Sequence, residues 1–74
     1  MPHLTVKHFP RDVGDQQRKQ LAEELTALVV RHFEVPEGAV SIALEQVDQS
    51  SWNDAVIVPE IIGREHLLIK APNT

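Results

Sequence analysis

The first two residues, Met1 and Pro2, are the part of the sequence with the clearest chemical potential. If Met1 is removed during synthesis, Pro2 becomes a free secondary amine at the start of the chain. The pKa of an α-amino group is about 7.7–8.0, closer to neutrality than the value of about 10.4 for a lysine. Burial in an apolar pocket or a neighbouring cation lowers the pKa of an amine further. Pro2 is therefore a candidate general base, and the alternative is that it merely follows the initiator methionine.

The elements that would position Pro2 are a strand, a helix and a second strand. Apolar and polar residues alternate from 4 to 9, which predicts a short strand that ends at Pro10. Asp15 has the position of a helix N-cap, and a helix of about eighteen residues follows it. Its apolar stripe is formed by Leu21, Leu25, Leu28, Val29, His32 and Phe33. A second alternating segment, from Val40 to about Val47, predicts another strand.

The order strand, helix, strand, with short loops between the elements, predicts a single βαβ unit of the α/β (α+β) class. In such a unit the two strands form a parallel sheet. The chain has 74 residues, and we assign residues 1–74 to one domain. A core of this size rarely supplies more than about 3–5 kcal/mol. We therefore expect oligomerisation, in which another copy adds two strands and a second helix.

The segment after the second strand has two competing assignments. Pro59 is well placed as the first residue of a short helix over residues 59–70, whose apolar stripe would contain Ile61, Ile62, Leu68 and Ile69. Gly63 in the middle of that helix costs about 1 kcal/mol relative to alanine. A hairpin that turns near Gly63 is the alternative, and we favour the helix.

Composition excludes several classes of function. The chain has no cysteine, no apolar run of about 18 residues and no basic-then-apolar leader, which predicts a cytoplasmic protein without a membrane segment. A formal charge of −4 without a Lys/Arg cluster argues against nucleic-acid binding.

The four histidines lack the spacing of metal ligands. His3 and His8 have opposite parity on the first strand, His32 falls on the helix stripe, and His66 is remote in the sequence. We therefore predict no metal site.

Together these features resemble the tautomerase superfamily typified by 4-oxalocrotonate tautomerase. The resemblance covers nearly the whole chain. It is carried by Met1-Pro2 before a strand, a single long helix opened by Asp15-Gln16-Gln17, the strand Val40-Ser41-Ile42-Ala43-Leu44, and an aromatic residue at Trp52. The phrases Ser41-Ile42-Ala43-Leu44, Ser51-Trp52 and Leu68-Ile69-Lys70-Ala71-Pro72 are similar to the small bacterial phenylpyruvate tautomerase-like branch.

The resemblance implies a tautomerase fold and a proton transfer between carbon and oxygen of a 2-keto acid or its enol, without cofactor or metal. The terminal proline is the base in this superfamily, so Pro2 is implied to be the catalytic residue. Well-known members bind the carboxylates of the substrate with two arginines and wall the pocket with an aromatic residue.

This sequence departs from that pattern at both arginine positions. Ser41 replaces the arginine of the second strand, and the place of the loop arginine falls on Val13, two residues after Arg11. A pocket with at most one arginine and with the indole of Trp52 in its wall suits a substrate with one carboxylate and an apolar tail, such as phenylpyruvate, better than a dicarboxylate. A second carboxylate would stay unpaired in an apolar pocket, which is costly.

Arg11, Ser41 and Trp52 are thus candidate substrate-binding residues, and each has a structural alternative. Arg11 would otherwise be a solvated loop charge, Ser41 a strand residue that faces solvent or an interface, and Trp52 a core or interface aromatic. The lack of an arginine at Ser41 and the helix-like C-terminal segment resemble the dimeric branch of the superfamily, so a homodimer is expected rather than a trimer of dimers. The competing function is a non-catalytic oligomeric binding or assembly module, because a fold alone does not guarantee chemistry.

Overall fold

The computed structural model describes residues 1–73. Strand β1 (His3–His8) is followed by helix α1 (Asp15–Phe33) and strand β2 (Ser41–Gln46), and the two strands form one parallel sheet. The register pairs His3 with Ser41 and His8 with Gln46. The predicted βαβ unit is therefore confirmed. None of the helices in residues 1–73 is long and apolar enough to cross a membrane.

The alternation of side chains gives the sheet two different faces, because successive residues of a strand point to opposite sides. The polar face carries His3, Thr5, Lys7, Ser41, Ala43 and Glu45. The other face carries Leu4, Val6, Ile42 and Leu44, and it lies towards α1, since Leu21 of the helix lines the same groove as Val6 and Leu44. Packing of the helix thus uses only one side of the sheet.

Helix α1 begins one position away from the prediction. Gly14 is the N-cap, with extended backbone and no capping side chain, so the prediction that Asp15 caps the helix is wrong. Asp15 is the first helical residue, where its carboxylate still interacts favourably with the helix dipole. The helix ends at Glu34, which has left-handed backbone (φ 53°) and donates its N–H to the carbonyl of Val30 at 2.9 Å.

The C-terminal segment contains the expected short helix but with different bounds. A 3₁₀ turn (Gln49–Ser51) leads into a π-helix, Asn53–Ile62, so Pro59 lies inside the helix instead of opening it. A second 3₁₀ turn, Glu65–Leu67, follows, and no strand occurs in residues 59–70. The predicted stripe is wrong at Leu68 and Ile69, which lie beyond the helix.

Gly63 explains where the π-helix ends. Its N–H donates to the carbonyl oxygen of Val58 at 2.9 Å, which brings the backbone of Gly63 close to the preceding turn. A Cβ atom at this position would lie 2.9 Å from the carbonyl oxygen of Pro59 and 3.0 Å from that of Val58. Only glycine allows this approach without a shift of the backbone.

The protomer has little core of its own. Only Val29, Val47 and Val56 are buried, at 7–8% exposure, and none of the described side chains is fully buried. The chain exposes 6146 Å², whereas a compact monomer of this mass exposes about 4600 Å². Its radius of gyration is 14.0 Å, against about 11 Å for a compact chain of this length. The sheet is not closed, and oligomerisation is needed to cover it.

We predict that Gly63→Ala destabilises the fold by about 1–3 kcal/mol, the usual cost of overpacking, because the added methyl group meets two backbone carbonyl oxygens. Urea denaturation measures the loss. Gly38→Ala is the matched control, since no atom lies within 4 Å of its added Cβ. Equal denaturation midpoints for the two variants would show that the close approach at Gly63 does not constrain the fold.

One ion pair, the only one within residues 1–73, connects the sheet to the π-helix. Lys7 of β1 donates a hydrogen bond to the carboxylate of Glu60, and both side chains are half-buried. The hydrogen bond to Glu60 raises the pKa of Lys7 above its ordinary value, and the charges of Glu60 and of Glu45, which faces Lys7 in the register, add to this. Partial desolvation opposes the rise.

This pair should make stability depend on pH in the alkaline range. The folded state holds the Lys7 proton more tightly than the unfolded chain does, so the stabilisation is complete at neutral pH. It is lost as the pH rises above about 10.4 and through the raised pKa. Urea denaturation between about pH 7 and 11 should show this loss for the wild type and a smaller one for Lys7→Met. Lys70→Met, which leaves the pair intact, should behave as wild type, and an unchanged alkaline loss in Lys7→Met would contradict the assignment.

Candidate active site

An open groove of about 1250 Å³ lies where the C-terminal ends of the strands meet α1 and the π-helix. Most of its lining is apolar: Val6, Phe9, Pro10, Val13, Leu21, Leu44, Trp52, Ile57, Ile61 and Pro72. The polar lining consists of His8, Arg11, Gln17, Gln20 and Glu24. An apolar cavity with a few polar side chains is the usual form of a small-molecule site.

Trp52 forms one wall of this groove. Its ring packs edge-to-face against Phe9, with ring centroids 4.8 Å apart and an angle of 81° between the planes. This geometry is favourable for aromatic pairs. The indole is half-buried, so it contributes to packing and still presents surface to the groove.

Arg11 lies in the loop after β1 and is exposed at the groove. Its backbone N–H donates to the side-chain oxygen of Gln46 at 3.3 Å, which connects the loop to the end of β2. The guanidinium forms no ion pair with any carboxylate in residues 1–73. Its positive charge is therefore available to an anionic ligand.

His8 also lines the groove, although its sequence pattern alone does not assign it to a site. Its Nδ1 lies 2.7 Å from the carbonyl oxygen of Phe9, so a protonated Nδ1 donates to that oxygen and holds the ring in place. Nε2 then remains as the ring nitrogen without a partner among the described residues. The sequence contains one indication that His8 belongs to a site. In the alternation of β1, His8 falls on the same side as Leu4 and Val6, where an imidazole is unexpected.

Pro2 and Ser41 lie together at the opposite end of the sheet. Pro2 is half-buried, and its carbonyl oxygen accepts a hydrogen bond from the backbone N–H of Ser41 at 3.2 Å. Met1, which precedes it, is 98% exposed. Ser41 is also in contact with His3, whose Nδ1 lies 2.7 Å from the hydroxyl oxygen.

The four candidate residues thus form two pairs that are far apart. Three residues of β1 separate Pro2 from Val6, where the groove begins, and six separate it from Phe9; at about 3.3 Å per residue these separations are about 13 Å and about 23 Å. The structure brings Arg11 and Trp52 together and Pro2 and Ser41 together, but a single protomer does not bring all four into one pocket. Within residues 1–73, no cluster of three or more His, Asp or Glu side chains could hold a metal ion.

Comparisons with known proteins agree with this architecture. The model of the tautomerase enzyme family matches residues 2–57, from Pro2 into the π-helix. The chain is 42% identical over 72 residues to Tautomerase PptA of Cronobacter sakazakii and to that of Enterobacter sp. (strain 638). It is 39% identical over 75 residues to Tautomerase PptA of Escherichia coli O157:H7. Each match covers 97% of this chain and 95% of the relative.

Proposed function

The chain belongs to the tautomerase family, and we propose that it interconverts the keto and enol forms of a 2-keto monocarboxylate such as phenylpyruvate, with Pro2 as the base and acid. The family and the relatives make the chain an isomerase of the tautomerase type. The groove supports the finer assignment, because a single arginine without an ion pair, Arg11, lies beside an apolar cavity walled by Trp52.

The proposed reaction needs only one basic nitrogen. Once Met1 is removed, the lone pair of the Pro2 nitrogen accepts a proton from the carbon next to the carbonyl group and an enolate forms. The same nitrogen then returns this proton to the enolate oxygen, which gives the enol, and the reverse sequence gives the ketone. No electrons are transferred to the protein, and the base is regenerated in each cycle.

A second copy of the chain would bring the separated pairs together. Both strands have a free edge, since the sheet contains only β1 and β2. Two-fold symmetric pairing at either edge is antiparallel, so the N-terminal end of one strand meets the C-terminal end of the other. Pro2 of one copy would therefore lie beside the groove of the other. The polar face requires no further cover, which favours a dimer over a trimer of dimers.

Charge in the groove favours a substrate with one carboxylate. Arg11 can pair with that carboxylate through two parallel hydrogen bonds, and the aromatic tail would pack against Trp52 and Ile57. A second carboxylate would find no other lysine or arginine in the lining, and Glu24 would repel it. The unpaired charge would be costly in an apolar cavity.

We predict that intact-mass analysis of the active protein shows the loss of one methionine residue. With Met1 retained, the nitrogen of Pro2 belongs to a tertiary amide and has no usable lone pair. Pro2→Ala should lower kcat for phenylpyruvate enolisation about 100-fold or more, because acid–base catalysis contributes about 10²–10⁴-fold. Circular dichroism should show an unchanged fold.

Pro36→Ala is the control for this experiment, since Pro36 is exposed before the 3₁₀ turn Glu37–Ala39 and does not line the groove. It should retain full activity. An active protein that keeps Met1, or full activity in Pro2→Ala, would refute the role of Pro2 and favour a binding module on the same scaffold.

A shared site predicts complementation between inactive variants. In a dimer of Pro2→Ala with Arg11→Ala, one of the two sites combines an intact Pro2 with an intact Arg11, and the other carries both substitutions. Random exchange makes half of the dimers mixed, so the mixture should recover about a quarter of wild-type activity. Arg18→Ala, an exposed change on α1, should be active by itself. No recovery after proven subunit exchange would mean that each protomer has a complete site.

A further inference from the structure

Three polar side chains form a hydrogen-bonded chain beside Pro2, on the polar face of the sheet. The hydroxyl of Thr5 lies 3.4 Å from Nε2 of His3, and Nδ1 of His3 lies 2.7 Å from the hydroxyl of Ser41. Ser41 is the residue whose backbone N–H binds the carbonyl oxygen of Pro2 at 3.2 Å. The hydroxyl of Ser41 therefore lies at the same end of the sheet as Pro2, and the reaction described above does not use His3 or Thr5.

We propose that His3 is a positioning residue that holds the hydroxyl of Ser41 as a hydrogen-bond donor to the carbonyl oxygen of the substrate, an inference that rests on the proposed function. Ser41 is then the catalytic donor at the oxygen that becomes negative in the enolate. His3 acts only through Ser41, and Thr5 acts only through His3.

The direction of the hydrogen bonds decides whether Ser41 can donate. A hydroxyl has one hydrogen and two acceptor lone pairs, and a neutral imidazole has one donor and one acceptor nitrogen. If Ser41 donates to Nδ1, it presents only lone pairs to the substrate. If Thr5 donates to Nε2 and Nδ1–H donates to Ser41, the hydrogen of Ser41 is free for the substrate oxygen. An enolate oxygen needs a donor, so the second arrangement is the productive one.

The charges near Pro2 explain why a neutral donor is needed. Lys7 is the only lysine or arginine on the polar face, and it is paired with Glu60. Arg11 of the second copy is assigned to the carboxylate of the substrate. The negative charge that develops on the carbonyl oxygen is therefore left to hydrogen-bond donors at the N-terminal ends of the strands. A chain of hydrogen bonds polarises its last donor, which strengthens the bond to an anionic oxygen.

His3 and Ser41 are exposed in the protomer, where water competes for the same hydrogen bonds. The two-fold pairing proposed above keeps the α1 faces of both copies on the same side of the sheet, so the groove of a second copy would approach Pro2 from that side and border His3 and Ser41 only at the N-terminal ends of the strands. Exclusion of water at these strand ends would make the donor more effective, since electrostatic interactions strengthen as the local dielectric constant falls.

Kinetics of a matched set of variants test the proposal. His3→Leu and Ser41→Ala should each lower kcat for phenylpyruvate about tenfold with little change in KM, because the lost bond is stronger in the transition state than in the ground state. The double variant should be no slower than either single variant, since both remove one unit. His3→Asn should recover much of the rate, because its amide N–H can take the place of Nδ1–H, whereas His3→Gln should not.

His66→Leu, an exposed histidine in the 3₁₀ turn Glu65–Leu67, is the control and should have wild-type kcat. Wild-type kcat in His3→Leu, or additive losses in the double variant, would overturn the proposal. So would equal kcat for His3→Asn and His3→Leu, because any structural role of the ring would be lost in both.

A second readout does not depend on turnover. Benzoylformate is a 2-keto acid without a hydrogen on the neighbouring carbon, so it can bind but cannot enolise. In the wild-type protein saturated with benzoylformate, ¹⁵N NMR of the His3 ring should show the Nδ1–H tautomer, and Thr5→Val should shift the ring towards the Nε2–H tautomer while Thr5→Ser should not. The Nε2–H tautomer in that complex would overturn the proposal. Full activity in Pro2→Ala would instead refute the proposed function, so the two failures are distinguishable.

Discussion

The constraint on which the rest of the structure depends is that one protomer cannot cover its own apolar surface. A two-stranded sheet, one long helix, a short π-helix and their connections bury only three of the described side chains well, and the radius of gyration exceeds that of a compact chain of equal length. Large apolar residues stay exposed on both helices and in the tail, among them Phe33 at 67% and Ile62 at 64%. The surplus area of about 1500 Å² exceeds the share of one partner, about 800 Å², in a standard interface. Association is therefore needed to complete the fold of this chain.

The same constraint explains the separation of the candidate residues. A parallel sheet has the N-terminal ends of its strands on one side and the C-terminal ends on the other, so Pro2 must lie about a strand length from the part of the groove that contains Arg11 and Trp52. A larger α/β domain could add loops that reach across its own sheet. In the dimer proposed above, two-fold symmetry would solve the problem without additional residues, because it would bring opposite ends of the strands together. Loss of the interface would then remove stability and the site at the same time.

The sequence was sufficient to predict the βαβ unit, because each element has a strong period of its own. Alternation at Leu4, Val6, Ile42 and Leu44 and helical spacing from Leu21 to Phe33 gave both strands and α1 to within about one residue. The sequence predicts that the C-terminal helix begins at Pro59, because proline is common at the first position of an α-helix. The helix is a π-helix that begins at Asn53, and Pro59 lies in its interior. The contact that ends it, between Gly63 and the carbonyl groups before it, involves backbone only and leaves no pattern in the sequence.

The candidate site is harder to predict than the fold, because it depends on how the elements are arranged in space. Residue types identified Pro2, Arg11, Ser41 and Trp52, but their grouping depends on strand direction, which places Arg11 next to Trp52 and far from Pro2. For His3 and His8 the sequence predicts only that they do not form a metal site. Their hydrogen bonds with the Phe9 carbonyl and with Ser41 depend on ring orientation and register, and a sequence contains neither directly.

The charges around Pro2 determine what could lower the pKa of its nitrogen enough for it to act as a base. A cation beside an amine lowers its pKa, but the side chains next to Pro2 are neutral hydroxyls and an imidazole, and Lys7 is paired with Glu60. For Pro2 to stay unprotonated near neutral pH, the effect must come from burial and from Arg11 of a second copy. The carboxylate of the substrate partly neutralises that arginine when it binds. In the proposed dimer, burial in the partner's apolar groove would then remain as the main cause, and the basicity of Pro2 would depend on the same surface that completes the fold.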